Sequence, residues 1–546
     1  MSKLRHKITV HPPHSQCLPK NTFTNADMDP VPFKDRTWAW YDVGGFWISE
    51  GFQIPILQMA GSLIVNGLSP GMAMGAVVVG NILVMVPCAL NGYTGAATGV
   101  NFPVISRASW GLHGAKLAVA IRAIVAVFWY GIQISTGGSC VYQMLTAIWP
   151  SLPRRIPNRL PESSNITSAD LLCFFIFWLL TLPFLAIPIS RLRWLFRAKL
   201  LLMPITGLSL FIWALVRAHG FGPVFNQPSS PPEGYSTAFL FFSAITSVIG
   251  PQATFALNMG DFCRYSRNPR YTCYAQAVMM PLCLTLTAFL GVVLASSSTT
   301  IFALAEPEWD PLALVGHFDS RAAQFFVSLL FAFATLCTNI AGNSVAFGND
   351  VASLFPAYLN IRRGQFLCAI LGVAVTPWNI LHSATNLLNF LNGYAVFLGP
   401  LCGILLADYW ILQARGRRLR LGQLYQPQGG YWFVRGWNFR AVAAFFLALV
   451  PNLPGLAKSV TPRISGVPRG FENVYTMSWV VGLVIAGCVY LGLTVVFPIA
   501  RVSSVGAIGE EEDEEQDPAR EWLYSSAEPM EAREKHNIIQ VKTGCL

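Results

Sequence analysis

The sequence predicts an all-α integral membrane protein of twelve transmembrane helices, with helices one and six broken near mid-depth. Three observations carry that prediction. Only 12% of the 546 residues are charged, about half of the ~25% that a soluble domain carries. Apolar runs of the length a bilayer requires, roughly 20 residues, recur along the whole chain. Two of those runs hold proline beside glycine and polar residues at corresponding places, five helices apart.

In chain order the expected spans cover 41–68, 71–93, 115–137, 170–190, 194–217, 235–260, 272–297, 322–345, 365–383, 386–411, 438–456 and 478–499. The ninth and eleventh have the thinnest apolar content. Lys and Arg in the connecting loops set the orientation. With both termini cytoplasmic, the inner loops hold Arg107; Arg191, Arg193, Arg197 and Lys199; Arg264, Arg267 and Arg270; Arg362 and Arg363; and Arg415, Arg417, Arg418 and Arg420. Outer loops are poorer in bases or balanced by acids such as Glu306, Glu308 and Asp310, with Arg154, Arg155 and Arg159 the exception. That exceptional loop also contains the glycosylation sequon Asn165-Ile166-Thr167, usable only on the non-cytoplasmic side.

These boundaries divide the chain into a cytoplasmic tail (1–37), a core of ten helices (38–411), helices eleven and twelve (412–499) and an acidic cytoplasmic tail (500–546). The last segment holds the acidic run Glu510 to Glu515 and lacks the apolar residues to fold alone. Lys535 and Lys542 within it could serve as acceptors for the ubiquitylation machinery, although a merely solvated tail is the better explanation of them. The net charge of +10 is spread between apolar runs, which speaks for topology and a lipid partner and against nucleic acid. Twelve Cys are scattered singly, with no spacing for zinc or a disulfide scaffold. No metal site and no cofactor is expected. The absence of HExxH or a Ser/His/Asp set argues against an enzyme.

The breaks define where chemistry is expected. In "SEGFQIPILQMAG", Gly51 and Pro55 fall within one turn beside Glu50; in "SVIGPQATFALNMGDF", Gly250-Pro251 lies mid-span. Proline removes a helix hydrogen bond, and in lipid the freed groups must face protein, water or a ligand. An offset of five helices inverts the topology between halves, the pattern of an inverted repeat whose broken helices meet at a midplane site. Around it gather Gln58 after the first break, Gln252 after the second, Trp129 and Gln133 (i, i+4) in "FWYGIQISTGG", and Asn339 and Asn343 (i, i+4) in "TNIAGNSVAFGND". Aromatic faces and primary amides suit a small planar heterocycle with alternating C=O and N–H edges. Glu50 is the intramembrane charge expected to exchange a proton, unless it pairs with a neighbouring base. Arg122 is either that base or a packed structural one. Asp261, Asp350 and Asp408 are expected in gating or loop-anchoring ion pairs.

The segments "MDPVPFKDRTWAWYD", "FWISEGF", "NFPVISRASWGLHGAK", "WYGIQISTGG", "ALNMGDFCRYSR" and "TNIAGNSVAFGND" together resemble the first nucleobase–cation symport family. They are most similar to its fungal uracil, uridine, allantoin and thiamine permease branch, from about Asp27 to Trp410 and more weakly to Pro498. The resemblance implies a leucine-transporter-like, five-plus-five inverted repeat working by alternating access. It implies ring stacking on Trp129, amide contacts from Gln133 and Gln58, and a substrate-binding Asn at Asn343, with Asn339 competing. The family position often held by Trp or Lys falls on Gln252, a departure that bears on substrate choice. Sodium-coupled relatives bind the cation at positions matching the backbone oxygens of Ile54 and Leu57 with Ala334, Cys337 and Thr338. Cys337 stands there where a hydroxyl is expected, and hard cations favour oxygen.

The resulting expectation is a plasma-membrane H+ symporter, with Na+ less suited, for a small nitrogenous ring such as uracil or allantoin. Thiamine or another vitamin or nucleoside is the alternative within the fold. An uncoupled channel or facilitator, or a non-transporting nutrient sensor on the same scaffold, are the alternatives of other classes.

Overall fold

The computed structural model describes residues 23–188, 191–413, 419–464 and 466–498. The tails that carry the acidic run, Lys535 and Lys542, together with Arg415, Arg417 and Arg418, lie outside the described residues. Among the described residues nine helices are long and apolar enough to cross a membrane. Two bent pairs, Trp40–Gly51 with Ile54–Val65 and Phe439–Leu449 with Leu453–Val460, raise that number to eleven. The ninth helix in order is Ile361–Ala374, only 14 residues. At 1.5 Å per residue it is about 21 Å long, shorter than a hydrocarbon core of ~30 Å.

Spans three (Ala115–Ile148) and seven (Pro269–Phe302) are longer than expected, at 34 residues each. Span five is Arg193–Arg217, span six Thr237–Cys263 and span ten Ala384–Leu406. The glycines of "FWYGIQISTGG" are close-packing positions. An ideal Cβ on Gly131 would stand 2.6 Å from the Gly372 carbonyl oxygen of span nine, and one on Gly138 only 2.7 Å from Phe174 Cα of span four. Span three is thereby pressed between two neighbours, as small residues allow in a bilayer.

Span one breaks where expected. Its halves, 1a (Trp40–Gly51) and 1b (Ile54–Val65), meet at 53°. Gln53 between them is extended, and Pro55 sits in the first turn of 1b, where its missing N–H has no helical partner to lose.

Span six differs from expectation in where it gives way. The helix runs through Gly250-Pro251 and departs from helical dihedrals at Asn258 instead. There the Asn258 side chain lies between Thr254 O (2.7 Å) and Arg122 Nη1 (3.1 Å), and an amide turned to match both donates to the first and accepts from the second. A side-chain donor four residues on competes with the backbone for that carbonyl. Span eight carries a third irregularity: Arg321–Thr338 passes into a π-helical turn, Asn339–Val345, before resuming as Ala346–Leu354. A π-turn widens the helix by one residue, a common device at functional sites.

Residues 23–38 bind the loops of the face on which they lie. Val31 N–H donates to Gly99 O and Trp38 N–H to Tyr265 O, each at 2.9 Å. Asn25 Nδ2 donates to Leu359 O (3.0 Å), and Asp27 Oδ2 accepts the Ile361 N–H (2.8 Å). Tyr425 Oη donates to Met28 O (2.8 Å). The expected N-terminal tail is therefore docked from Phe23 onward. Arg107, Arg264 and Arg267 share this face, bonded to Phe23 O, Asp27 O and Arg36 O.

Candidate functional site

At the break in span one, the Gln53 side chain turns to span three, and Gln133 Nε2 donates to its Oε1 at 3.1 Å. One turn back, Trp129 Nε1 donates to Tyr394 Oη of span ten at 3.2 Å. Phe390 lies edge-on to Trp129 with centroids 6.0 Å apart, and packs on Tyr394 at 4.9 Å. From span eight, Asn339 Nδ2 donates to Tyr130 O (3.3 Å), and Asn343 Nδ2 donates to Asn339 Oδ1 (3.0 Å). The expected amide ladder is real, and it ties the π-turn to the backbone of span three. Gln252 is buried in span six beside Gly250, which packs on Leu391 of span ten.

Trp129, Gln133, Asn339 and Asn343 thus share one region with Gln53, Phe390 and Tyr394, which sequence reasoning did not assign. Gln53 was visible as a polar residue at the break. Phe390 and Tyr394 gave no signal, because aromatics on an apolar helix look like packing. Gln58 goes elsewhere: its Nε2 donates to Asp310 Oδ1 (3.0 Å) in the loop before span eight. One and a half turns past Gln53, its side chain faces that loop.

Glu50 is paired, and its partner is not Arg122. Lys199 Nζ of span five lies 3.2 Å from Glu50 Oε1 and also donates to Thr338 Oγ1. Lys199 is 0% exposed, so it is no loop base, contrary to its expected place among the inner-loop residues. It follows Arg193 by six residues and Arg197 by only two on the same helix, and two residues along a helix are enough to turn it to the opposite, buried side. Arg122 instead binds Asp350, with its Nη2 also donating to Ala346 O. Asp261 accepts the Phe102 N–H at 2.7 Å, and Asp408 accepts from Tyr490 Oη at 2.8 Å.

The positions matched to a cation site surround the Lys199 ammonium only in part. Thr338 touches it directly. Cys337 is buried with its Sγ 4.0 Å from Leu195 O, and Ala334 is buried one turn earlier. Ile54 and Leu57 lie in the first turns of 1b, and Leu57 O sits where an ideal Cβ on Gly291 would approach to 2.7 Å.

Several buried polar atoms in this region have no hydrogen-bond partner among the described residues: Gln133 Oε1, both side-chain polar atoms of Gln252, and Glu50 Oε2. Native interiors leave few such atoms unmatched.

The fold of the chain is that of Mhp1, a nucleobase-cation-symport-1 family transporter. Superposition on its inward-facing conformation gives a TM-score of 0.70 at 20% identity, covering 91% of this chain and 98% of that one. The closed conformation with bromovinylhydantoin bound gives 0.68 at 20% identity, covering 90% and 100%. That likeness gives the chain a leucine-transporter-like fold. Residues 30–482 match the family described as "Permease for cytosine/purines, uracil, thiamine, allantoin", and the chain belongs to it. The allantoin permease of Saccharomyces cerevisiae is 32% identical over 88% of this chain and 77% of its own length. The uracil permease of the same yeast is 31% identical over 87% and 76%.

Proposed function

We propose that the chain carries a small, neutral, nitrogen-rich ring of the uracil or allantoin kind across the plasma membrane, by alternating access and together with a proton. One observation carries the substrate class: Gln133 Oε1 and both polar atoms of Gln252 stand unmatched in a buried, aromatic-walled region. Each such atom left without a partner costs roughly 1–3 kcal/mol, so a ligand that matches them is favoured. Two amide oxygens call for N–H donors and one amide nitrogen calls for a carbonyl. A ureide or pyrimidine ring offers both along one edge, and Trp129 and Phe390 offer faces for stacking. Lys199 and Glu50 are paired with each other, so the neutral amides of Gln133 and Gln252, and not a charged group, set the substrate class. The allantoin and uracil permeases among the relatives and the hydantoin in closed Mhp1 point to the same chemistry.

The proton is assigned to Glu50, although its ion pair with Lys199 is the arrangement that stood as the alternative to proton exchange. A sodium ion beside Thr338 would meet the fixed Lys199 ammonium, and Cys337 offers a thiol where hard cations take oxygen. Protonation of Glu50 removes the carboxylate that holds Lys199, loosening the link between 1a, span five and span eight. The face bearing residues 23–38 is read as cytoplasmic, since Arg36, Arg107, Arg264 and Arg267 lie on it.

The test is uptake of labelled uracil and allantoin in permease-deficient yeast between about pH 4 and about pH 8, with and without Na+. The expected result is uptake of at least one ring that rises toward acid pH and ignores Na+. Gln133→Ala and Gln252→Ala should abolish it while still reaching the cell surface. Uptake of neither ring, equal uptake at every pH, or normal transport in both variants would overturn the proposal.

A further inference from the structure

On the face opposite residues 23–38, the loop between spans seven and eight reaches from 1b across to span three. At one end, the Trp309 carbonyl rests on Gly61 of 1b, where an ideal Cβ would stand 2.8 Å from its oxygen. Gln58, one turn earlier on the same face of 1b, donates its Nε2 to Asp310 Oδ1 at 3.0 Å. At the other end, Gly316 packs on Gln143 of span three, with an ideal Cβ 2.9 Å from the amide nitrogen. The short helix Pro311–Gly316 joins the two contacts, and Asp310 caps it by accepting the Leu312 N–H at 3.1 Å. The loop thus bridges the two elements whose deeper residues, Gln53 and Gln133, pair in the site.

The pair at Asp310 is incomplete in an informative way. Gln58 Oε1 is buried with no donor. An ionised carboxylate has none to give, whereas the acid form carries one O–H. A proton taken from the medium by Asp310 completes the pair: the amide N–H still donates to one carboxyl oxygen, and the carboxyl O–H donates to the amide oxygen. We infer that Asp310 is a positioning residue for closure of this face, a proton-sensitive latch that holds the loop on 1b through Gln58 more tightly in its acid form. The inference rests on the orientation proposed above, in which this face is external and meets the acidic medium first.

The electrostatics have the same sign. Burial pushes the Asp310 carboxyl from 3.8 up to about 6, outweighing the Leu312 N–H and the Gln58 amide, whose hydrogen bonds lower it, and Glu308 on its own loop adds to the rise. The Cys140 thiol faces it from span three, 1b presents only the uncharged Gln58, and span seven contributes the Ser298 hydroxyl to the Glu308 N–H. No base is among its partners within the described residues. A carboxyl raised in the docked state and ordinary when undocked favours docking fully below about pH 4, and that favour is lost as pH rises through about 6.

Cys140 is the reporter, because it is buried between the site and the loop. A membrane-impermeant maleimide is applied to cells displaying the full chain, at about pH 5 and about pH 7.5, with Cys140→Ala as blank. Asp310→Asn keeps the helix cap and supplies the N–H that completes the Gln58 pair at any pH. The readout is the ratio of Cys140 labelling in wild type to that in Asp310→Asn, which cancels the thiol's own pH-dependent reactivity. The expected ratio is about tenfold larger at neutral than at acid pH, the weight of the one pK unit between about pH 5 and the docked value of about 6. Gln58→Leu should label strongly at both. A ratio near one at both pH values, or Gln58→Leu labelling no more than wild type at neutral pH, would overturn the latch. Labelling is read without transport, so failure to take up any ring counts against the function above and not against this inference.

Discussion

Lys199 and Glu50 make the most consequential pair of side chains in the molecule, with exposures of 0% and 2%. Removing one partner of a buried ion pair strands the other and costs about 3–5 kcal/mol, whereas replacing both with neutral groups is often nearly free. Lys199→Met alone should therefore lower the melting temperature in detergent and the amount at the cell surface. The double variant Lys199→Met with Glu50→Gln should restore both while leaving uptake insensitive to pH; a single variant as stable as wild type would show that the pair does not hold the fold. The pair also marks a limit of sequence reading at this scale. Trp129 and Gln133 were legible because polarity inside an apolar run stands out. Lys199 was not, because it shares a helix with Arg193 and Arg197 near a membrane boundary, and only the turn of the helix decides which of them goes inside. Gln58 had the right composition for the site, but its position along 1b directs it to Asp310.

At the scale of elements, irregularity concentrates around the site: the 53° bend of span one, the π-turn of span eight and the Asn258 kink of span six. The first was readable from Gly51 and Pro55. The third was sought at Pro251, but membrane helices absorb proline when neighbours satisfy the freed carbonyl. An asparagine able to bond its own i−4 carbonyl and Arg122 bends the helix more effectively. Nothing in one sequence announces a π-turn, since it depends on how Asn339 meets the backbone of span three. The straight part of span three is held by the absence of side chains. Gly131→Val would push a branched side chain into the Gly372 carbonyl, 2.6 Å from where its Cβ must go. The expected penalty is about 1–3 kcal/mol of overpacking, seen as a lower melting temperature, and an unchanged melting curve would deny that spans three and nine are in contact.

Over the whole molecule, the N-terminal segment gathers loops far apart in the chain. Asp27 reaches Ile361 at the start of span nine, Arg36 Nη1 donates to Ala96 O of span two at 2.7 Å, and Met28 O receives Tyr425 from the loop after span ten. The helical membrane fold and family membership were legible from composition and motif, whereas the twelve spans expected compare with nine to eleven helices long and apolar enough to cross a membrane among the described residues. The docking of residues 23–38 was not, because its bonds run mostly to backbone carbonyls and N–H groups, which any sequence offers. Asp27→Ala should release the Ile361 amide in particular, so that its hydrogen exchange in the purified protein quickens by at least about tenfold while amides in mid-span three stay protected. Equal protection in both proteins would mean that the segment only rests on the surface.

The Lys199 ammonium has a further, electrical consequence. A transporter that binds free sodium must gather a charge on every cycle, but here a positive charge is already tethered to span five. While Glu50 is ionised, the pair is neutral and a return movement carries no net charge through the field. Under the coupling proposed above, one proton makes the loaded site singly positive, and the carried ring adds nothing. The membrane voltage would then pull only on the loaded stroke, with about 2.3 kcal/mol per 100 mV. Under that coupling the cell's electrical potential, beyond its pH gradient, would drive accumulation of an uncharged nutrient.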